Sequence, residues 1–101
     1  MAGIKHIVLF KFKQGIPNSQ VDSLFGEIRD LQAIIPGYQE FIGGPYSSPE
    51  GLDQGYTHGF IITFANAESR DTYVFHPEHD RVKEKVFPLI DGVVAFDFVV
   101  P

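Results

Sequence analysis

Tyr73, His76 and His79 place a phenol three residues before one imidazole and six before the next, in the stretch Tyr73-Val74-Phe75-His76-Pro77-Glu78-His79. Imidazole both takes and gives a proton near neutral pH, because its ordinary pKa lies near ~6.5. A neighbouring phenol can hold a carbonyl or enolate oxygen by hydrogen bonding. The chain has four histidines, and the other two, His6 and His58, sit inside apolar runs. Histidines within such runs are uncommon, and a single pocket shared by His6, His58, Tyr73 and His79 is the expectation that accounts for them together. Taken singly, His6 or His58 reads more simply as a hydrogen-bonded core residue, and Tyr73 as an amphipathic one. His76, before a proline, reads as a turn residue that caps the next helix. His79 falls in the first turn of that helix, where the positive end of the helix dipole disfavours a cation and keeps the ring neutral, as a general base requires.

Other chemistries have less behind them. His76 and His79 lie three apart, but His76 stands outside the regular turn and no third ligand is obvious, so no metal site is expected. Gly43-Gly44 follows a strand but opens no helix and leads to no Lys-Ser/Thr, so it is not a phosphate loop. No Ser/His/Asp nucleophile arrangement is evident, and with no cysteine there is neither thiolate chemistry nor a disulfide framework. A net charge of −5, with only Lys5, Lys11 and Lys13 scattered along the first run, argues against a nucleic-acid partner. No segment approaches the ~18 apolar residues that span a bilayer. At 101 residues and 44% hydrophobic, the chain suits one globular domain, residues 1–101, expected in the cytoplasm.

The elements that must carry these side chains follow from periodicity. From Ile4 to Lys13 the pattern has period two, with Ile4, His6, Val8, Phe10 and Phe12 on one side, which predicts a strand. Asn18 suits a helix N-cap. Val21, Leu24, Phe25, Ile28, Leu31 and Ile35 then give an amphipathic helix ending before Pro36-Gly37. A short strand is predicted over Tyr38–Ile42, a turn-rich loop over residues 43–55, and a strand over Tyr56–Phe64. Asn66 caps a second helix running to about Phe75, and Pro77 opens a third that continues toward Pro88. Val93–Val100 is a nearly all-apolar closing strand.

The order β-α-β-β-α(α)-β is that of a ferredoxin-like α+β domain, an antiparallel sheet with helices on one face. Ile7, Leu9, Ile61, Val93, Ala95 and Val99 are expected on the other face. An apolar face of that size predicts a partner, and a second copy related by a two-fold axis supplies one.

The residues also resemble a family. Ile4-Lys5-His6-Ile7-Val8-Leu9-Phe10-Lys11-Phe12-Lys13, Gly55-Tyr56-Thr57-His58, Asp71-Thr72-Tyr73-Val74-Phe75-His76-Pro77-Glu78-His79 and Ala95-Phe96-Asp97-Phe98 occur in the order and spacing of the stress-responsive dimeric A/B barrel (Dabb) proteins. The resemblance spans nearly the whole chain. It implies a homodimeric α/β barrel with a hydrophobic pocket for a small molecule. It also implies cofactor-free, polyketide-cyclase-like chemistry, the intramolecular aldol closure of a poly-β-carbonyl or phenolic substrate. The catalytic tyrosine and histidine of such a cyclase match Tyr73 and His79, and two further pocket histidines match His6 and His58. Positions that shape its alkyl-chain pocket match Leu24, Phe25 and Ile28, where Ile28 replaces a bulky aromatic, so Phe25 and Ile28 are expected to touch substrate. Other family members resemble stress-induced or ligand-binding barrels without catalysis, and that is the alternative reading. Other dimeric α/β barrels include cofactor-free monooxygenases and lactone isomerases. If His6 and His58 both lie in an apolar pocket, desolvation lowers their pKa values and makes the fold acid-sensitive.

Overall fold

A computed structural model of the protein describes residues 2–101. Its elements are β1 (Ile4–Phe12), α1 (Asn18–Asp30), β2 (Tyr38–Pro45), β3 (His58–Phe64), α2 (Ala67–Val74), α3 (Pro77–Val86) and β4 (Ile90–Val99). Short 3-10 turns follow α1 and α3. The strands form one antiparallel sheet in the order β2-β3-β1-β4, and the helices lie on one face, so the fold is ferredoxin-like.

Alternation in β1 and β3 does what period two requires. Ile4, His6, Val8, Phe10 and Phe12 of β1 are buried beneath the helices with Phe60, Ile62 and Phe64 of β3. Val21, Leu24, Phe25 and Ile28 of α1 cover them, with Tyr73 of α2 and Val82 and Val86 of α3. Burying each such side chain stabilises by about 1.5–3 kcal/mol. Asn66 caps α2 through its side-chain oxygen, which accepts from the Ser69 N–H at 2.8 Å. Asn18 does not cap α1. It is the first helical residue, Pro17 stands at the cap position, and no side-chain cap bond forms.

The strand bounds shift, with β3 beginning at His58 instead of Tyr56 and β4 spanning Ile90–Val99 instead of Val93–Val100, and two further expectations change. β2 continues through Gly43-Gly44 to Pro45 instead of stopping at Ile42. Gly43 lies so close to β3 that an added Cβ would meet the Phe60 Cβ at 2.7 Å and the Gly59 carbonyl at 2.9 Å. Both glycines are therefore part of the sheet, and Gly43 lets its edge approach.

The phase of β4 is the larger correction. Its register sets Val93 opposite Phe10, Ala95 opposite Val8, Asp97 opposite His6 and Val99 opposite Ile4. Directly paired residues share a face, so Val93, Ala95 and Val99 belong to the helix side. The open face carries Val94, Phe96 and Phe98 instead, beside Ile7, Leu9, Ile42 and Ile61. Phe96 is 63% exposed and Ile42 58%. An all-apolar strand has no period to read, so its phase is set only by pairing.

Candidate active site

A cavity of about 450 Å³ lies between the sheet and α3, walled mostly by apolar groups such as Val8, Ile28, Val82 and Val86. Its polar lining residues are His6, Tyr73, His79, Lys83 and Asp97. Tyr73 lies in the last turn of α2 and is only 1% exposed. Its ring contacts His6 edge-on at 5.7 Å and stacks on His79 at 4.2 Å with an interplanar angle of 28°. The Pro77 break makes this contact: α2 stops, the chain turns at His76, and the first turn of α3 brings His79 back over Tyr73.

His76 performs the capping expected of it. It stands at the N-cap of α3, and its Nδ1 accepts from the Glu78 N–H at 3.0 Å. His79 Nδ1 lies 3.2 Å from the carbonyl of Val74, one of the last carbonyls of α2, which no helical N–H can satisfy. A carbonyl only accepts, so Nδ1 carries the hydrogen and Nε2 keeps a lone pair. Burial lowers the His79 pKa, and the Lys83 and His6 charges add to that, while the Val74 bond and Asp80 oppose it. The ring is thus held neutral mainly by desolvation. Burial pushes the Tyr73 phenol well above its ordinary range, with the nearby Tyr38 adding to the shift, so it remains a donor.

His6 is not in a purely apolar setting. Its Nδ1 lies 2.6 Å from Asp97 Oδ1, the residue directly across the β1–β4 ladder. Arg70 of α2 donates to the other oxygen of Asp97 at 2.9 Å and to Asp71 at 2.7 Å. Burial lowers the pKa of His79 and of His58, which do not share one pocket. Among the described residues no buried side-chain polar atom lacks a partner. The Nε2 atoms of His6 and His79 and the Tyr73 hydroxyl have no hydrogen-bond partner among the described residues, so each keeps some surface of its own, and all three residues line the cavity.

Three of the four rings are brought together, and Ile28 lines the same cavity. His58 and Phe25 are elsewhere. His58 pairs with Phe10, four residues along β1 from His6, which separates them by about 13 Å along the strand. It contacts Phe12 and Phe25 and bonds the Thr57 hydroxyl at 2.8 Å. Together with Phe25 and Asp22 it opens on a second depression of about 460 Å³. Phe10 and Phe60, both packed on Phe25, stand between the two. Burial lowers the His58 pKa and Asp22 opposes this. Asp97 and Arg70 were not singled out from sequence as site residues, although Asp97 is the lone charge within Val93–Val100 and so had a signal. Among the described residues no group of three or more His, Cys, Asp or Glu is placed to hold a metal ion.

A four-stranded antiparallel sheet with helices on one face defines the class of small ferredoxin-like α+β domains. Within it, residues 4–100 match the family described as Stress responsive A/B Barrel Domain, and the chain belongs to that Dabb family. It is 32% identical over 95 residues to the Arabidopsis thaliana stress-response A/B barrel domain-containing protein HS1, covering 94% of this chain and 87% of that protein. It is equally 32% identical over 95 residues to olivetolic acid cyclase of Cannabis sativa, covering 94% of each. The crystal structure of At3g17210 from A. thaliana superposes with a TM-score of 0.88 at 32% identity, over 97% of this chain and 94% of that one. A dimeric ferredoxin-like protein of unknown function from Jannaschia sp. superposes at 0.86 and 24% identity, over 97% and 99% of the two chains. No helix among the described residues is long and apolar enough to cross a membrane.

Proposed function

We propose that the protein is a cofactor-independent, polyketide-cyclase-like enzyme that closes a small poly-β-carbonyl or phenolic substrate by intramolecular aldol condensation. The observation that carries this reading is the stacked Tyr73–His79 pair, whose hydroxyl and bare Nε2 open on one apolar cavity. His79 Nε2 takes a proton from a methylene between two carbonyls. The resulting enolate carbon bonds to a distant carbonyl carbon of the same chain, and that carbonyl oxygen gains the negative charge. Tyr73 donates a hydrogen bond to this oxygen as the charge develops, and the His79 imidazolium returns the proton. Ile28 bounds the substrate's apolar tail. The 32% identity to olivetolic acid cyclase supports this chemistry. In the same proposal His58 and Phe25 touch substrate only if the tail extends past the Phe10–Phe60 wall.

Two copies pair through the open sheet face in this reading. Its support is the exposed apolar set centred on Phe96, and a structural neighbour that is itself dimeric. The protein works in the cytoplasm, which fractionation of tagged protein tests.

The identity to HS1 equals that to the cyclase and favours a second reading, a ligand-binding stress barrel that does no chemistry. Synthetic poly-β-ketoacyl thioesters of graded chain length separate the two. Cyclised product by mass spectrometry is expected, falling about 10²–10⁴-fold in Tyr73→Phe and in His79→Gln. Binding of these thioesters with no cyclisation at any chain length would establish the second reading instead.

A further inference from the structure

The Tyr73–His79 pair leaves one buried titratable group of the cavity without a task. His6 is 7% exposed, in the middle of β1, and its Nδ1 meets the Asp97 carboxylate at 2.6 Å. The second Asp97 oxygen is fixed at 2.9 Å by Arg70, whose Nε is tied at 2.7 Å to Asp71. Three elements, β1, β4 and α2, thus contribute to one hydrogen-bonded chain that ends at an imidazole. A core histidine needs one partner for its ring N–H and nothing behind that partner. Here the partner is a carboxylate, itself clamped by a guanidinium, and the far side of the ring opens on the cavity.

Chemistry fixes what that far side offers. A carboxylate accepts and does not donate, so Nδ1 holds the hydrogen and Nε2 presents a lone pair when the ring is neutral. The same holds for His79 through the Val74 carbonyl. Two bare ring nitrogens can only accept, and an occupant that supplies an O–H satisfies one of them.

We propose that Asp97 and Arg70 are positioning residues that make His6 a second acid–base group of the cavity, one that receives the proton of an enolic or phenolic hydroxyl. This rests on the reading of the cavity given above and narrows its substrate class to molecules bearing such a hydroxyl. In the step, the substrate O–H bond breaks, its proton passes to His6 Nε2, and the electron pair left on oxygen delocalises into the enolate or phenolate. The imidazolium formed is held against Asp97, and it returns the same proton when product oxygen is reprotonated. His79 works on carbon and His6 on oxygen, with Tyr73 between the two rings at 4.2 and 5.7 Å.

Nitrogen-15 NMR of the histidine side chains tests this in the intact protein, with 4-nitrophenol as probe and 4-nitroanisole, which lacks the O–H, as its control. In the unliganded protein His6 is expected as the Nδ1–H tautomer. Asp97→Asn shifts it to the Nε2–H form, Arg70→Leu gives a mixture, and Arg70→Lys restores the original. Adding 4-nitrophenol should move the Nε2 signals of both His6 and His79 toward the protonated position, with 4-nitroanisole binding about tenfold more weakly or worse. A His6 found as Nε2–H, or left unchanged by Asp97→Asn, overturns the positioning role. A response at His79 without one at His6 overturns the acid–base role, and silence at both removes it along with the reading of the cavity above. A response at His6 alone upholds this proposal and counts against the Tyr73–His79 pair.

Discussion

His79 carries the reaction proposed above and also part of the packing, and the two contributions separate by substitution and by pH. Its ring lies face to face with Tyr73 at 4.2 Å and is partly buried, so His79→Ala removes a stacked contact as well as a base. Aromatic pairs of this kind contribute about 0.5–1.5 kcal/mol beyond their buried area, so a Tm several degrees below that of the unsubstituted protein is expected. His79→Phe keeps a stacking ring and should recover most of that Tm without restoring turnover. A variant in which Phe restores activity would remove His79 from the chemistry. Acid supplies the second test. Burial lowers the folded pKa values of His79 and His58 below the ~6.5 of an unfolded histidine. Around His79 the Lys83 and His6 charges act with burial, while Asp80 and the Val74 bond act against it. As pH falls through ~6.5 the unfolded chain takes up these protons first. The stability contributed by the neutral rings is therefore full above that value and declines toward the lowered folded values. Urea midpoints at about pH 7.5 and about pH 5.5 should differ, and His79→Gln should narrow the difference. An equal difference in the variant would assign the acid sensitivity to other groups.

At the scale of elements, the approach of β2 to β3 depends on Gly43, where a methyl group would press on Phe60 and on the Gly59 carbonyl. Gly43→Ala is expected to cost about 2 kcal/mol, as overpacking does, which lowers Tm by on the order of 10 °C for a domain of this size. An unshifted melt would mean that the β2 edge yields without strain. The same strands explain what was legible in the sequence. Period two in β1 and β3 placed His6 and His58 on the helix side, and the Pro77 break placed His76 as a cap. Alternation gives the face of a residue but not its position along the strand. His6 pairs with Ile62 and His58 with Phe10, and this antiparallel register sets the two imidazoles too far apart to share a cavity. Register comes from strand pairing over more than fifty residues of chain, which no local pattern contains. β4 failed for the opposite reason. Its apolar run has no alternation, and Asp97, the single charge in Val93–Val100, takes its place from His6 across the ladder and from Arg70 on α2. Only pairing shows that this charge belongs to the cavity side and that Val94, Phe96 and Phe98 belong to the open face.

For the molecule as a whole, the open face sets the terms. One side of the sheet is closed by three helices, while the other presents Leu9, Ile42, Val94, Phe96 and Phe98, each well exposed in a single chain. A contiguous apolar surface of this kind is a liability unless something covers it, and a second copy related by a two-fold axis buries the same patch on both sides. Phe96 is the residue to change, because it lies opposite Ile7 at the centre of the β1–β4 ladder and its side chain points away from the cavity. Each large apolar side chain buried contributes about 1.5–3 kcal/mol, and two-fold symmetry counts the loss twice. Phe96→Glu should therefore weaken association by about 3–6 kcal/mol, on the order of 10²–10⁴-fold in the dimer Kd. Sedimentation equilibrium over a concentration series is expected to show the unsubstituted chain as a dimer and the variant as a monomer. The polar atoms of the cavity come from one chain, on the sheet face opposite Phe96, so the monomer should keep the histidine NMR pattern of the parent protein. A parent chain that sediments as a monomer throughout the series would remove the dimer from the proposed function. It would leave the apolar face to be covered in some other way.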